Sequence, residues 1–274
     1  MEIKAADVAK LRKMTGAGMM DCKNALVESK GDFERAQEII REKGKLVAAK
    51  RADRDTTEGA VVALLNDDKT QGVVVCLGCE TDFVSKNPEF QELAMGIART
   101  ALEHMPDSLE ELMALPYEDA TVEEAVTRQT GKSGEKHAVP YYNKLEAPYL
   151  GSYIHMNNKL ATIVGFDKPI AEEAAKEIAM QITAMAPISV NRDSCSQEVI
   201  DREMNIYREQ IRQEGKPENL VEKIAMGKLN RFFKESTLED QVFVKDGKIS
   251  VKEYLKTVDP QVKVIDFRRY SLND

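Results

Sequence analysis

The chain has 274 residues, of which 42% are hydrophobic and 31% charged, and its net charge is −8. This length predicts two or more domains, and the acidic balance argues against a general nucleic-acid binder, which would normally be basic. No apolar run approaches the roughly 20 residues of a membrane span, and residues 1–7 lack the apolar core of a signal peptide. We therefore expect a cytoplasmic protein without a membrane partner.

The first 54 residues predict a small bundle of three helices. Their apolar positions repeat at helical spacing in three segments: Val8 and Leu11; Cys22, Ala25 and Leu26; Phe33, Ala36, Ile39 and Ile40. We expect Gly16 and Gly31 to end the first two helices. Asp32 can cap the third helix, which we expect to close at Gly44.

Two methionines follow the glycine turn between the first two helices. Met19 and Met20 are adjacent, so both cannot face the same core, and their soft thioethers suit a binding surface. The alternative is that they are ordinary core methionines.

Residues 41–54 are rich in lysine and arginine, and we interpret them as a basic linker. Such a patch could touch RNA, but no aromatic residues interleave for base stacking. A solvated helix face and linker is the favoured interpretation.

Residues 55–140 predict the first half of the core. Residues 60–65 and 73–77 are strand-like apolar runs separated by a turn. A helix then begins at Asn87, its cap, and Pro88, its first residue. Its apolar stripe contains Phe90, Leu93, Ala94, Ile97, Ala98 and Ala101.

The short segment Thr81-Asp82-Phe83-Val84 lies between the second strand and that helix. A strand end, an exposed turn and a helix start form a common scaffold for functional residues. The segment presents a carboxylate and a large ring, and we predict that both point toward a partner protein. The alternative is a capped turn with Phe83 packed into its own core.

Residues 141–274 repeat the plan. Strand-like runs at 149–155 and 160–166 flank a turn at Asn157 and Asn158, and a helix follows over 171–182. The chain is therefore predicted to be α+β, with two related halves built on antiparallel sheets. We also expect short helices at 109–115 and 122–128, a strand at 135–139, a helix at 251–256 and a strand near 262–267.

An arm is predicted to project from the second half at about residues 194–235. Ile200, Met204, Tyr207 and Ile211 are spaced as in a heptad seam, and a short turn leads to a second apolar helix. The short connection implies an antiparallel helical hairpin.

The search for catalytic chemistry is mostly negative. His104, His137 and His155 are far apart, and none neighbours a cysteine or carboxylate at metal-ligand spacing. Cys76 and Cys79 form a CxxC pair, but residues three apart in a strand point to opposite faces. We expect small buried cysteines, no catalytic residue, no metal and no cofactor; a CxxC redox enzyme is the alternative.

Four motifs, in order along most of the chain, resemble those of bacterial elongation factor Ts. They are Thr15-Gly16-Ala17-Gly18-Met19-Met20-Asp21-Cys22-Lys23, Cys79-Glu80-Thr81-Asp82-Phe83-Val84, Leu150-Gly151-Ser152-Tyr153 followed by His155, and Gly215-Lys216-Pro217. The resemblance implies a guanine-nucleotide exchange factor for elongation factor Tu, without covalent chemistry and without direct nucleic-acid contact. It also implies an N-terminal domain like ubiquitin-associated domains, a core of two halves and an inserted antiparallel coiled coil.

The resemblance further implies roles for individual residues. Thr81, Asp82, Phe83 and Val84 match the motif that acts on the partner's Mg²⁺ and nucleotide site, with Asp82 and Phe83 inserted. Met19 and Met20 match positions that dock on a helix of the partner's nucleotide-binding domain, and Leu11 assists them. His155 matches a second intruding residue, from the other half of the core.

Some family members continue past the last strand into a further C-terminal helix that touches the partner, whereas the printed sequence ends with residues 268–274. A helical interaction adaptor without exchange activity is the alternative function.

Overall fold

A computed structural model describes residues 3–155 and 158–272 and shows an α+β fold. The expected turn residue Asn157 lies outside the described residues, as do residues 273 and 274. The helices are α1 (Ala5–Thr15), α2 (Met19–Glu28), α3 (Phe33–Lys50), α4 (Asp82–Ser85), α5 (Pro88–His104), α6 (Leu109–Ala114), α7 (Val122–Ser133), α8 (Glu172–Met185), α9 (Gln197–Gln213), α10 (Glu218–Ser236) and α11 (Val251–Val258). The strands are β1 (Glu58–Leu65), β2 (Gln71–Cys79), β3 (Pro116–Tyr117), β4 (Ala120–Thr121), β5 (Ala138–Glu146), β6 (Tyr149–Ile154), β7 (Leu160–Phe166) and β8 (Val264–Ser271).

Helices α1, α2 and α3 pack around a small apolar core of their own. Gly16 ends α1 with a left-handed backbone (φ 67°), and the Asp32 carboxylate caps α3 by accepting from the backbone N–H groups of Glu34 and Arg35. The expectation that Gly44 closes α3 is wrong, because α3 continues to Lys50. Gly44 instead allows a close helix crossing: a Cβ atom on Gly131 of α7 would lie only 2.7 Å from the Gly44 Cα.

The basic residues predicted to form a solvated helix face and linker are divided at Lys50: those up to Lys50 belong to α3, and the rest follow it. Several of these cations pair with carboxylates of the chain itself. Arg41 lies 3.4 Å from Asp119, and both Glu80 carboxylate oxygens accept from Arg51 at 2.8 and 2.9 Å. The positive charges of Arg41 and Arg51 are therefore paired with carboxylates of the same chain.

Two antiparallel three-stranded sheets form the centre of the molecule, with strand orders β1-β2-β5 and β6-β7-β8. One face of β2, with Val73, Val75 and Leu77, packs in a core with α5. The other face, with Val74 and Cys76, packs in a core with residues of β6 and β7. Since both faces are buried, β2 is continuously apolar, and the layers are helix, sheet, sheet, helix.

The third strand of each sheet is longer than the sequence predicted. β5 covers residues 138–146, so the expected boundary between residues 140 and 141 falls inside a strand that pairs with β2. Pro140 is compatible with β5 because β5 is an edge strand and a bulge interrupts its pairing there. β8 extends to Ser271, so Arg268 and its neighbours lie within the last strand rather than after it.

Helices α9 and α10 pack along each other. Their shared apolar core contains Met204, Ile211, Val221, Ala225, Leu229 and Phe233. Arg212 pairs with Glu218 at 3.0 Å and Arg208 with Glu222 at 2.7 Å across the two helices. Within the described part of the chain, no helix combines the length and apolar character needed to cross a bilayer.

Candidate functional site

Residues 81–84 lie where β2 ends and form the start of α4, a single helical turn. The Phe83 side chain is 86% exposed, the largest value among the exposed large hydrophobic residues of the described chain. Val84 points the other way and packs against the core beneath α5. The alternative of a Phe83 ring buried in its own core is therefore wrong: Val84 anchors the turn and Phe83 projects from it.

Asp82 presents an ionised carboxylate next to this ring. Its oxygen accepts a hydrogen bond from the Lys86 ammonium at 2.7 Å, and this bond lowers the pKa of Asp82 below its ordinary value. Both side chains are solvent-exposed, and water screens an ion pair of this kind so that it contributes little to stability. Asp82 can therefore exchange Lys86 for another charged group at little cost.

Two carboxylates brace the turn from behind. The Glu135 carboxylate accepts from both the backbone N–H and the hydroxyl of Thr81, at 3.0 and 2.7 Å. Glu80 accepts from the Lys136 backbone N–H at 2.7 Å and from Arg51, and these two bonds lower the pKa of Glu80. Sequence reasoning missed Glu135, since it lies 54 residues from Thr81 and has no motif of its own.

His155 lies at the same end of the sheets as Phe83. It is exposed directly after β6, in the connection to β7. That connection is fixed to the first sheet, because the Val61 N–H donates to the Asn158 carbonyl at 2.6 Å. The Lys159 ammonium also lies 2.7 Å from a carboxylate oxygen of Glu58, the residue that pairs with Cys79 at the end of β2.

The N-terminal bundle carries two adjacent exposed methionines, one of which, Met19, approaches the same region. Met19 and Met20 are 60% and 64% exposed, so the alternative that both are core residues is wrong. Met19 lines a groove of about 410 Å³ together with Glu89, in the first turn of the helix that follows α4. We call Met19, Met20, Asp82, Phe83 and His155 the tip face.

Leu11 does not belong to the tip face. Its side chain is fully buried between α1 and its neighbouring helices, together with Cys22 and Leu26. In the free chain Leu11 packs beneath the helices that carry the exposed methionines, so its expected part in partner binding stays a prediction.

The two cysteines of the CxxC pair lie in different cores. Cys76 packs between the two sheets and Cys79 packs on the α5 side, and both are fully buried. Burial raises the pKa of each thiol to about 12, which leaves the reactive thiolate form scarce at neutral pH. The expectation of small buried cysteines is confirmed.

The three histidines do not form a common site. His137 is buried against Phe90, with ring centroids 5.5 Å apart, while His104 and His155 are exposed on different elements. Over residues 3–155 and 158–272, no group of three or more histidine, cysteine or acidic side chains is arranged to hold a metal ion.

Comparisons with known proteins agree on one family. The family model described as "Elongation factor TS" matches residues 80–274. Elongation factor Ts of Christiangramia forsetii is 51% identical over 273 residues, which is 99% of each chain. The proteins of the same name from Porphyromonas gingivalis and Flavobacterium psychrophilum are each 47% identical; the first covers 100% of this chain and 99% of the relative, and the second covers 98% of both.

Proposed function

This chain belongs to the elongation factor Ts family, and from that premise we propose that it is a guanine-nucleotide exchange factor, which binds GDP-bound elongation factor Tu and promotes GDP release in translation elongation. The observation that carries the proposal is the outward-pointing Phe83 ring beside the ionised Asp82 on a braced turn. Such a turn suits insertion into a partner, with no covalent chemistry required.

Exchange follows from thermodynamic linkage between two ligands of one partner. Suppose that the chain binds more tightly when the nucleotide pocket is distorted or empty. Bound GDP then lowers the affinity of the chain for the partner, and the bound chain lowers the affinity of GDP by the same factor. Release is accelerated because part of the binding energy is gained only in the distorted state. The tip face must therefore make contacts that the undistorted, GDP-bound pocket does not offer.

We propose Phe83 as the wedge that gains burial only in that distorted state. Full burial of such a ring contributes about 1.5–3 kcal/mol. Converting a two-state equilibrium from mostly one state to mostly the other requires about 5.5 kcal/mol. The ring alone is thus insufficient, and other contacts must hold it in place.

Met19, Met20 and His155 are proposed to supply those holding contacts. The methionines present adaptable apolar surface to a helix of the partner's nucleotide-binding domain, and His155 reaches a separate region from the second sheet. The α9–α10 pair, proposed here as an antiparallel hairpin arm, adds a further grip. Within this scheme residues 1–54 are a domain like ubiquitin-associated domains. The two related halves of the core, expected as residues 55–140 and 141–274, are built on β1-β2-β5 and β6-β7-β8, so their boundary moves to the end of β5.

Asp82 is proposed to act on the Mg²⁺ ion that belongs to the partner. Its carboxylate can disturb the water ligands of that ion or compete with the groups that hold it. Loss of the ion would expose the repulsion between the nucleotide phosphates and the surrounding protein charges. Thr81 and Val84 set where this carboxylate lies, from opposite sides of the turn.

Release of a fluorescent GDP analogue from elongation factor Tu tests the proposal. We expect the purified chain to accelerate release in proportion to its concentration until the partner is saturated. Binding without acceleration would favour the alternative, an interaction adaptor. No binding and no acceleration would refute both functions.

A further inference from the structure

The start of α4 is fixed from outside the helix rather than by its own cap. A threonine at this position ordinarily accepts a hydrogen bond from an N–H group of the first helical turn. The Thr81 side chain makes no such cap bond. Its hydroxyl instead donates to Glu135 at 2.7 Å, and its backbone N–H donates to the other oxygen of the same carboxylate at 3.0 Å.

Glu135 is itself held in a well-defined loop between α7 and β5. Its N–H donates to the Ser133 hydroxyl at 3.1 Å, and its carbonyl contacts Nδ1 of the buried His137 at 2.9 Å. The next residue, Lys136, donates its N–H to Glu80, just before Thr81. The carboxylate therefore lies on a scaffold fixed at both sides.

The turn needs such a support. A helix of four residues has almost no stability of its own, because forming the first turn fixes several dihedral angles for one hydrogen bond. Phe83 has little packing within the chain, since its side chain is 86% exposed. The direction of the ring is thus set by the neighbours that are fixed, Thr81 on one side and Val84 on the other.

We propose that Glu135 is a positioning residue for nucleotide exchange, which orients Phe83 through its two hydrogen bonds to Thr81. This inference rests on the proposed exchange function. Hydrogen bonds to a charged group are among the stronger ones in proteins, and a ring that no longer points into its pocket loses part of the burial energy that full insertion supplies. Losing both bonds should therefore lower the maximal rate by about tenfold.

The test compares Glu135→Ala with the native chain in GDP release, over a range of concentrations of GDP-bound elongation factor Tu. We expect the maximal rate to fall about tenfold while the half-saturating concentration changes less than about twofold, because the proposed holding contacts of Met19, Met20 and His155 are intact. Glu135→Gln keeps one acceptor oxygen and should lie between the two. Glu253→Ala is the matched control: Glu253 likewise accepts from a backbone N–H and a hydroxyl, those of Ser250, at the start of α11. It should leave exchange unchanged.

A double variant distinguishes an effect of Glu135 that acts through the Phe83 ring from a general structural effect. If Glu135 acts through the ring, Glu135→Ala should change release by less than about twofold in a Phe83→Ala background. Full multiplication of the two losses, or a native-like rate for Glu135→Ala, would overturn the inference. If Glu135→Ala does not fold, the same criteria apply to Glu135→Gln. A native chain that fails to accelerate release refutes the proposed function instead, so the two failures are distinguishable.

Discussion

Replacing Phe83 by alanine tests whether the ring contributes to nucleotide exchange or to the stability of the folded chain. Because the ring is 86% exposed in the free chain, nearly all of its apolar surface can still be buried against a partner. Full burial contributes about 1.5–3 kcal/mol, and 1.4 kcal/mol corresponds to a factor of ten. Phe83→Ala should therefore slow catalysed GDP release by about 10- to 150-fold.

The same substitution should hardly change the stability of the free chain. Exposed substitutions away from special backbone features usually alter the free energy of unfolding by about 0.5 kcal/mol or less. Stopped-flow release of a fluorescent GDP analogue and urea denaturation measure the two effects separately. Ile265→Ala is a suitable control, because Ile265 is 49% exposed on β8 next to Val264, which pairs with the last residue of β7, far from the β6–β7 connection.

Two results would refute this reasoning. Exchange by Phe83→Ala at the native rate would mean that the ring is not the wedge. A loss of stability of several kcal/mol would mean that Phe83 is a folding residue, in conflict with its exposure.

Four further predictions follow from other features of the molecule. Asp82→Ala should slow GDP release less than Phe83→Ala does, by a few-fold, because water screens a solvent-exposed carboxylate and the burial of a large ring contributes more. Gly131→Ala should lower the free energy of unfolding by about 1–3 kcal/mol, since the added Cβ would overlap the facing helix, whereas Gly227→Ala, with no atom within 4 Å, should not destabilise. Burial lowers the pKa of His137 in the folded chain. The neutral imidazole therefore contributes to the free energy of unfolding above the ordinary histidine pKa of about 6.5, and this contribution is lost as the pH falls below it. His137→Gln should flatten this pH dependence in urea titrations between pH 7.5 and 5. Cys76→Ala should leave the rate of GDP release unchanged, because its thiol is buried and protonated.

Each of these outcomes has a clear opposite. A larger exchange defect for Asp82→Ala than for Phe83→Ala would make the charge, not the ring, the main element of the tip face. Equal stabilities of the two glycine variants would contradict the close crossing of α3 and α7. An unchanged pH dependence in His137→Gln would show that another group controls it, and loss of exchange in Cys76→Ala would restore the redox alternative.

The parts of the fold that the sequence predicted well have strong local signals. Helix α5 carries a cap at Asn87, a proline at its first position and a stripe whose six residues are all buried. β2 is apolar throughout because sheets and helices cover both of its faces. Local pattern and tertiary burial agree in these elements.

The misjudged elements depend on neighbours that are distant in sequence. β5 and β8 are edge strands with mixed polar side chains, so no apolar run marks their length. Gly44 resembles a helix end but lies in a helix crossing, which becomes visible only when α7 is placed against α3. Glu135 braces Thr81 through contacts that no sequence spacing encodes.

For the tip face, the exposure of Phe83, Met19 and Met20 agrees with their sequence positions, since each sits at the start of a helix that follows a turn. The burial of Leu11 was available from the same helical period that identified it as a core position. Its part in partner binding is implied by the resemblance alone and stays a prediction.

The most direct test of the central claim is the affinity of the chain for nucleotide-free and for GDP-saturated elongation factor Tu, measured by titration calorimetry. If the tip face favours the distorted pocket, the chain should bind the nucleotide-free partner more tightly by a factor approaching about 10⁴, the ratio that converts one state into the other. By reciprocity, the chain should weaken GDP binding by the same factor. Equal affinities for the two forms would contradict the account.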